Sequence, residues 1–248
     1  MDVFFPTLKS DILAEIKIQE FILSGAFNIS SDDFLKFELP YVFFSRKAQT
    51  YFSDFLGVTY IYTIPEIKSN GVGNLYLGYE FKSNRRNSTI EFGVRFPLAS
   101  EKKLAPLVGA IGDFDRMELY MPNVFSISAL TRYRSPREKI FFNVIGGPTI
   151  MVRTKKEPYQ DKTEILLSLS LRGGIIIQPL KIGVGYSGRF IVTEDGDLSD
   201  RIIHQIGVLV NISIGPSELG FYYRVPIDKN LKEIIKNVIG VNFAYVID

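Results

Sequence analysis

The sequence predicts an all-β fold: a single closed, antiparallel transmembrane β-barrel of about 12 strands. Three observations lead to this prediction. Apolar and polar residues alternate strictly over segments of about ten residues. The segments are joined by connections that are long and short in turn, and the polar row carries charged residues and glycine. The apolar row faces lipid in a membrane barrel and a core in a soluble sandwich, and the connections distinguish these two cases.

The strongest alternation lies in residues 75–97, which read as a hairpin of two strands around a polar tip at 83–87. Because successive strand residues point to opposite faces of a sheet, each strand has one apolar and one polar face. The apolar row consists of Leu75, Leu77, Tyr79, Phe81, Ile90, Phe92, Val94 and Phe96. Charged residues and glycines occupy the opposite row, which therefore faces water.

Similar segments follow along the chain at about one strand per 20 residues, as in a closed antiparallel barrel. We predict strands at 15–28, 34–44, 54–66, 73–82, 89–98, 117–133, 140–154, 163–177, 181–193, 201–214, 218–227 and 237–247. Residues 1–14 are predicted to form an N-terminal lead or plug segment, and residues 15–248 the transmembrane barrel. Glu20 and Phe21 interrupt the alternation, so the first predicted strands are less regular than the later ones.

The connections between the predicted strands sort by length. Long, mostly charged connections are predicted at 28–33, 66–72, 99–116, 154–162, 193–200 and 227–237, and short ones at 134–139, 178–180 and 215–217. Outer-membrane barrels have long loops at one end and tight turns at the other, whereas a soluble sandwich has no reason to sort them. The loop 99–116 is the longest and least polar, and it either folds inward as a constriction or packs over the barrel rim.

The polar row is predicted to line the lumen of the barrel, where opposite charges pair and small residues leave room for water. The predicted pore-lining residues are Glu80, Glu91, Arg95, Arg172, Lys181, Arg189 and Arg224. Glycines such as Gly78, Gly93 and Gly183 lie in the same row, where they suit a lumen or sharp barrel curvature.

The composition excludes several other classes of protein. With no Cys, the chain has neither disulfides nor cysteine metal sites. The formal net charge of +2 and the lack of a dense basic stripe argue against nucleic-acid binding. No apolar run reaches about 18 residues, the length of a membrane helix. No signal peptide is visible in residues 1–6, and we expect that one has been removed.

Residues with catalytic or ligating chemistry are few, and we predict no catalytic residues, no cofactor and no metal site. His204 is the one His of the chain and lies in the apolar row, so it is interpreted as an interfacial side chain. Gly71 and Gly73 precede a strand rather than a helix, which argues against a nucleotide loop. A group of loop carboxylates lacks the residue order of a calcium loop and is interpreted as solvated. This group consists of Asp113, Asp115 and Glu118.

Three segments carry a resemblance to a known family. They are Leu56-Gly57-Val58-Thr59-Tyr60 through Ile64-Pro65, then Gly71-Val72-Gly73-Asn74 running on to Phe81, and Phe92-Gly93-Val94-Arg95-Phe96-Pro97-Leu98. These segments resemble the outer-membrane barrel family labelled "MetA-pathway of phenol degradation", a transporter-type family, with Asn74 where the family usually has Asp. The rest of the chain is similar only in its strand rhythm. The resemblance implies a barrel with a pore or ligand path, and it carries over no catalytic residues.

The predicted function is passive passage of a small solute, hydrophobic solutes included, through an outer-membrane channel that is not an enzyme. The predicted partners are outer-membrane lipid, lipopolysaccharide and the solute, with no nucleic acid, and the oligomeric state is left open. Three alternatives remain: a structural or adhesive outer-membrane barrel with a closed lumen, a soluble lipid-binding barrel, and a membrane-embedded enzyme that depends on His204.

Overall fold

The computed structural model describes residues 1–8, 16–55, 58–82, 87–135, 139–155, 162–195, 197 and 201–246. The strands are β1 (Asp2–Leu8), β2 (Ile16–Asn28), β3 (Asp33–Arg46), β4 (Gln49–Phe55), β5 (Val58–Ile64), β6 (Ile67–Val72), β7 (Leu75–Lys82), β8 (Ser88–Phe96), β9 (Val124–Arg134), β10 (Ile140–Arg153), β11 (Thr163–Ile177), β12 (Leu180–Ile191), β13 (Ile202–Ile214), β14 (Ser217–Pro226) and β15 (Ile235–Tyr245). The chain also forms helix α1 (Leu104–Gly112), a 3-10 helix (Phe114–Leu119) and helix α2 (Lys229–Ile234).

A closed, 12-stranded antiparallel barrel forms the body of the protein, which confirms the predicted fold class. β1 pairs with both β2 and β15, so that Asp2 lies in register with Ile22 on one side and with Asn242 on the other. From β2 the barrel continues through β3 and β7 and then in chain order to β15. Closure leaves the barrel without an open sheet edge, as a lipid environment requires.

The two faces of the barrel divide as the alternation predicts. In the hairpin of β7 and β8, Tyr76, Glu80 and Glu91 are buried on the inner face. Leu77 and Phe92 lie in the other row, on the outer face, with 39% and 53% of their surface exposed. An outer surface of large apolar side chains and an inner surface of polar ones is the arrangement of a membrane barrel.

Three predicted elements differ from the observed ones. Residues 2–8, predicted as part of a lead or plug, form β1 in the barrel wall, while residues 9–15 lie outside the described residues. The predicted strand 54–66 is instead part of the β4–β5 hairpin, a separate two-stranded sheet. The predicted strand 117–133 begins only at Val124, because the residues before it belong to the 3-10 helix and its exit.

The connections separate into a long-loop end and a short-turn end of the barrel. The strands that flank 9–15, 47–66, 97–123, 154–162, 192–201 and 227–234 meet these connections at the long-loop end, and those that flank 28–33, 83–87, 135–139, 178–179 and 215–216 meet them at the short-turn end. The predicted sorting by length is therefore present. The connection 28–33, predicted among the long ones, lies at the short-turn end, because the predicted strand 54–66 is not in the barrel wall and its removal shifts the count by one strand. The segment 66–72, predicted as a loop, is largely β6.

The connection 97–123, called the plug from here on, folds into the lumen and carries α1 and the 3-10 helix. Its Ala105, Leu119 and Tyr120 pack in a buried apolar cluster with inner-face residues of the barrel and of α2. The barrel and helix members are Phe4, Ile18, Ile22, Val42, Phe44, Leu231, Ile235 and Val238. Of the two alternatives for this loop, the inward fold is thus the observed one. None of the helices in the described residues is long and apolar enough to span a membrane.

Candidate functional site: the barrel lumen

The plug is anchored to the barrel at the junction between β6 and β7. The side-chain amide of Asn74 donates to the backbone carbonyls of Glu118 at 2.8 Å and Met121 at 2.7 Å, and its oxygen accepts from the Ala99 amide at 2.9 Å. A Cβ on Gly73 would lie 2.4 Å from the Leu119 carbonyl oxygen. Both ends of the plug therefore dock on Gly73 and Asn74. The close approach of the Leu119 carbonyl explains why position 73 has no side chain.

Helix α1 lies against the same wall of the barrel. A Cβ on Gly71 would be 2.8 Å from the Pro106 ring. The Ala105 amide donates to the hydroxyl of Ser69 at 3.1 Å. At the end of α1, Gly112 lies against the carboxylate of Glu20, which points inward from β2. The residue that interrupts the sequence pattern of β2 is thus a lumen residue in contact with the plug.

Ion pairs hold the 3-10 helix of the plug against the opposite wall. Glu118 forms a two-point contact with the guanidinium of Arg189, with N–O distances of 2.6 and 3.0 Å. Arg224 donates to Asp115 at 3.0 Å and lies 3.4 Å from an oxygen of Asp113. The carboxylates predicted to be solvated are therefore enclosed in the lumen and paired with arginines of β12 and β14. The interpretation of these three carboxylates as a solvated loop is therefore wrong.

The arginines keep two plug carboxylates ionised in spite of their burial. Burial raises the pKa of Asp113, but the positive charges of Arg116 and Arg224 outweigh it, and the pKa lies below its usual value. Burial likewise raises the pKa of Glu118, and the charge and hydrogen bonds of Arg189 bring that pKa below its usual value. The plug is therefore held by charges that exist at neutral pH.

A second charged cluster lies on β3, β7, β8 and β9, away from the plug contacts. Glu80 and Glu91 are directly opposite each other in the β7–β8 register, where two like charges repel. Lys36 binds both carboxylates, with its ammonium 2.7 Å from Glu91, and Arg132 lies 3.7 and 3.8 Å from them. The Tyr76 hydroxyl donates to the other oxygen of Glu91. These carboxylates are thus neutralised by fixed partners of the barrel itself.

Arg95 joins this cluster to the plug anchor. Its guanidinium donates to Glu38 at 3.0 Å and to the Asn74 carbonyl at 3.2 Å, and it stacks over the ring of Tyr76 at 4.8 Å. Glycines give the ring its space, since a Cβ on Gly93 would be 2.1 Å from the Tyr76 hydroxyl. The predicted glycine row therefore serves to accommodate aromatic rings inside the barrel.

The remaining lumen forms a cavity of about 540 Å³ between the 3-10 helix and the short-turn end. Its lining combines plug residues such as Asp115 and Glu118 with polar residues of β9–β13, including Ser170 and Gln205. It extends to Lys181, close to the turn at 178–179. A larger groove of about 640 Å³ lies along Phe142, Val184 and Ile206, which belong to the apolar outer row, and offers little chemistry beyond apolar contact.

All the predicted pore-lining residues lie on the inner face of the barrel, and all except Glu80 line this cavity. Glu80, Glu91, Arg95, Arg189 and Arg224 are engaged in the ion pairs described above. Arg172 and Lys181 have no carboxylate within ion-pair distance among the residues that the structure describes. Whether these residues act on a passing solute stays a prediction.

Sequence reasoning missed the partners of these residues. Lys36, Glu38 and Arg132 lie on the inner face, and the acidic residues of the plug complete the pairs. A signal existed for one of them, because two carboxylates in the polar row of one predicted hairpin require a nearby cation. Lys36, in register with Gly78, meets that requirement.

His204 does not line this cavity. The His204 ring lies edge-on to Tyr186 at 6.0 Å, and its backbone amide donates to Asp228 at 3.2 Å. Its place beside the long-loop end agrees with the interfacial interpretation. Within the described ranges, histidine and carboxylate side chains form no group of three that would hold a metal ion.

Comparison with known proteins gives similarity of fold. No protein-family profile and no curated protein match the chain. An outer membrane channel from Pseudomonas putida F1 has a TM-score of 0.57 at 13% sequence identity, over 99% of this chain and 94% of that channel. The β domain of the Bordetella autotransporter BrkA gives 0.49 at 12% identity, over 99% of this chain and 97% of that domain. The first similarity shows that the chain has the fold of an outer-membrane barrel, and the more specific family resemblance stays a prediction.

Proposed function

We propose that this protein is an outer-membrane channel through which small solutes pass by diffusion, with the plug as its constriction. One observation carries the proposal: a water-accessible, polar cavity leads from the short-turn end to a plug that is held on that side by polar contacts. Ion pairs and hydrogen bonds exchange readily with water, whereas an apolar interface does not. A plug held in this way can shift aside and open a path.

The outer surface supports a place in lipid. Large apolar side chains project from the barrel all along β7, β8 and β11–β15, as in the exposed Leu167, Val208 and Phe243. By analogy with outer-membrane barrels, the long-loop end would face the exterior and lipopolysaccharide, and the short-turn end the periplasm. The same exposed surface argues against the soluble lipid-binding alternative, since large apolar patches are rare on soluble monomers.

The size and lining of the cavity bear on the solute. A volume of about 540 Å³ is suited to a small molecule rather than to a peptide chain. Hydroxyl, amide and charged groups line most of the β9–β13 side, with Ile145 and Leu209 between them. The sequence-based expectation included hydrophobic solutes. This lining favours solutes that have polar groups beside an apolar part.

The test is to lock the plug in place. The Ser187 hydroxyl lies 2.8 and 3.0 Å from the two carboxylate oxygens of Asp115, and the chain has no Cys of its own. An Asp115→Cys/Ser187→Cys pair would therefore place a removable cross-link between plug and wall. Planar bilayers containing this variant are expected to conduct little when oxidised and to regain conductance on reduction, with each single variant as a control.

A closed structural barrel is the second candidate, and the apolar cluster of Leu119, Tyr120 and Ile22 favours it, because it fixes the plug firmly on one side. The two candidates differ in the bilayer experiment. If correctly folded protein carries no current in either the oxidised or the reduced state, the channel proposal fails and the closed barrel replaces it.

A further inference from the structure

Four residues in register across neighbouring strands of the inner wall show how this lumen binds a carboxylate. Arg172, Gly185, Gly207 and Arg224 are directly paired neighbours on β11–β14. The side-chain stem of Arg172 leans over Gly185, at 3.3 Å from the place of a Cβ, and the stem of Arg224 leans over Gly207, at 3.0 Å. Two arginines thus flank a pair of glycines, and their stems pack over the positions that lack a side chain.

The plug already supplies a carboxylate to one side of this row. Asp115 binds Arg224 at 3.0 Å and the Ser187 hydroxyl at 2.8 Å. Arg224 is further enclosed by aromatic rings, with Phe4 at 5.0 Å from its guanidinium carbon. The plug carboxylates thus occupy its Nη1, whereas its Nε and Nη2 are buried without a hydrogen-bond partner among the described residues. The contact of Asp115 with Arg224 and Ser187 shows that this wall accepts a carboxylate.

Arg172 is the corresponding cation on the other side, and it has no such partner. It is exposed to the lumen, lines the cavity, and has no carboxylate within ion-pair distance in the described part of the chain. Asn143 lies beside it in register on β10 and adds an amide donor. A guanidinium with a neighbouring amide matches the two oxygens of a carboxylate.

A second free cation lies nearer the short-turn end of the same wall. The Lys181 ammonium is 4.5 Å from the centre of the Phe141 ring, and that ring lies over Gly174 and Gly183, between the levels of Lys181 and Arg172. No carboxylate of the described residues pairs with Lys181, and it also lines the cavity. Apolar side chains such as Ile145 and Leu209 line the cavity on the neighbouring strands of the same wall.

We propose that Arg172, with Asn143 and Lys181, forms a binding site for the carboxylate of a small organic anion whose body contacts the apolar part of the cavity. The proposal rests on the channel function in one respect, since it makes this anion the solute. The site itself can exist without permeation. In a narrow lumen bordered by lipid, two positive charges that no carboxylate of the described residues pairs with also raise the local concentration of anions.

The test is binding of benzoate to the detergent-solubilised protein, measured by titration calorimetry beside its neutral counterpart benzamide and inorganic phosphate. Benzoate is expected to bind at least about tenfold more tightly than benzamide, because a charge-assisted contact contributes roughly 1.5–3 kcal/mol. Arg172→Gln is expected to weaken benzoate binding about tenfold or more, and Lys181→Gln to weaken it less. Neither residue forms an ion pair with the described residues, so both variants should fold.

The matched control is Lys232→Gln, which removes one positive charge from the exposed face of helix α2 at the long-loop end. It should leave benzoate binding unchanged. Equal binding of benzoate and benzamide, phosphate binding as tight as that of benzoate, or unchanged binding in Arg172→Gln would each overturn the site. Benzoate binding without conductance in bilayers would instead leave the site standing and refute the channel.

Discussion

At the scale of single residues, aromatic side chains on the inner face of this barrel pack over glycines of the same or neighbouring strands. Tyr76 covers Gly78 and Gly93, Tyr222 covers Gly240, and in each case a Cβ would lie within 3 Å of the ring. Glycine in a strand normally weakens it, because it offers no side chain to pack. Here a neighbouring ring supplies the missing contact, so the glycines and the rings have to be considered together.

Gly93→Ala is therefore expected to destabilise the barrel, by about 1–3 kcal/mol, as overpacking does elsewhere. The ring of Tyr76 cannot retreat, because Glu91 binds its hydroxyl and Arg95 stacks on its face. Unfolding in urea from detergent micelles, followed by far-ultraviolet circular dichroism, measures the change.

Gly173→Ala is the control for this prediction, since the nearest atom to its Cβ would be 3.6 Å away, an ordinary contact. Its free energy of unfolding should stay within about 0.5 kcal/mol of the parent protein. Equal stability of the Gly93 and Gly173 variants would contradict the close packing of the Tyr76 ring.

At the scale of elements, the plug accounts for both the successes and the failures of sequence reasoning. Strands β7, β8 and β12–β14 have one apolar and one largely polar face, and the alternation located them well. In β2 and β3 the inner face is also apolar at Ile18, Ile22 and Phe44, because the plug covers it. A strand that is apolar on both faces has lost the period-two signal, which is why Glu20 read as an interruption.

The same reason limited the prediction of the site. Alternation identifies which charged residues point inward, and all those selected do so. It does not fix the register between distant strands, nor the fold of a loop that enters the lumen. The pairing of Glu118 with Arg189, 71 residues apart, depends on both. The sequence therefore predicts which charged residues point inward, but it does not predict their ion-pair partners.

The plug is expected to loosen in acid. Asp113 and Glu118 have pKa values below the usual range in the folded protein, so their stabilising contribution is complete above the ordinary carboxyl pKa and is lost as the pH falls through the lowered values. Amide hydrogen exchange in residues 104–121, corrected for the intrinsic pH dependence of exchange, should rise below about pH 4. Exchange in β11 should change far less.

Glu118→Gln provides the comparison for this experiment. It removes the charge that Arg189 binds, so exchange in the plug should already be faster at neutral pH and should depend less on pH. A plug that exchanges equally slowly at neutral and acid pH would show that the apolar cluster alone holds it, contrary to this prediction.

At the scale of the whole molecule, the barrel is a continuous ring of strands with a hairpin and a plug attached. Strand β1 belongs to the ring although sequence analysis took it as a lead, because seven residues are too short to display the alternation convincingly. The predicted wall strand 54–66 covers β5 and the end of β4, because these residues alternate like those of a wall strand. Local pattern identifies a strand, and only pairing decides which sheet it joins.

Deletion of residues 2–8 is accordingly expected to abolish the folded barrel, since it would leave β2 and β15 with unpaired edges in lipid. The measurement is electrophoretic mobility in dodecyl sulfate with and without boiling, in which a closed barrel migrates differently once heated. The deletion variant should show no difference.

The control shortens the β4–β5 hairpin. Gln49 and Ile64 are paired neighbours, so two glycines in place of residues 50–63 join them without strain on the barrel. This variant should keep its heat-dependent mobility. A deletion of residues 2–8 that also keeps it would contradict the assignment of β1 to the barrel wall.

The pairing of β1 with β15 also has a consequence for biogenesis. Asp2 and Asn242 are neighbours in space and lie at opposite ends of the sequence, so the last seam of the barrel joins the earliest and the latest strands to leave the ribosome. Every shorter intermediate has two open edges, and one that stops before β14 also lacks Arg224, which pairs with the plug. The barrel can therefore close only when β15 is present, and whatever escorts the chain must shield the open edges until then.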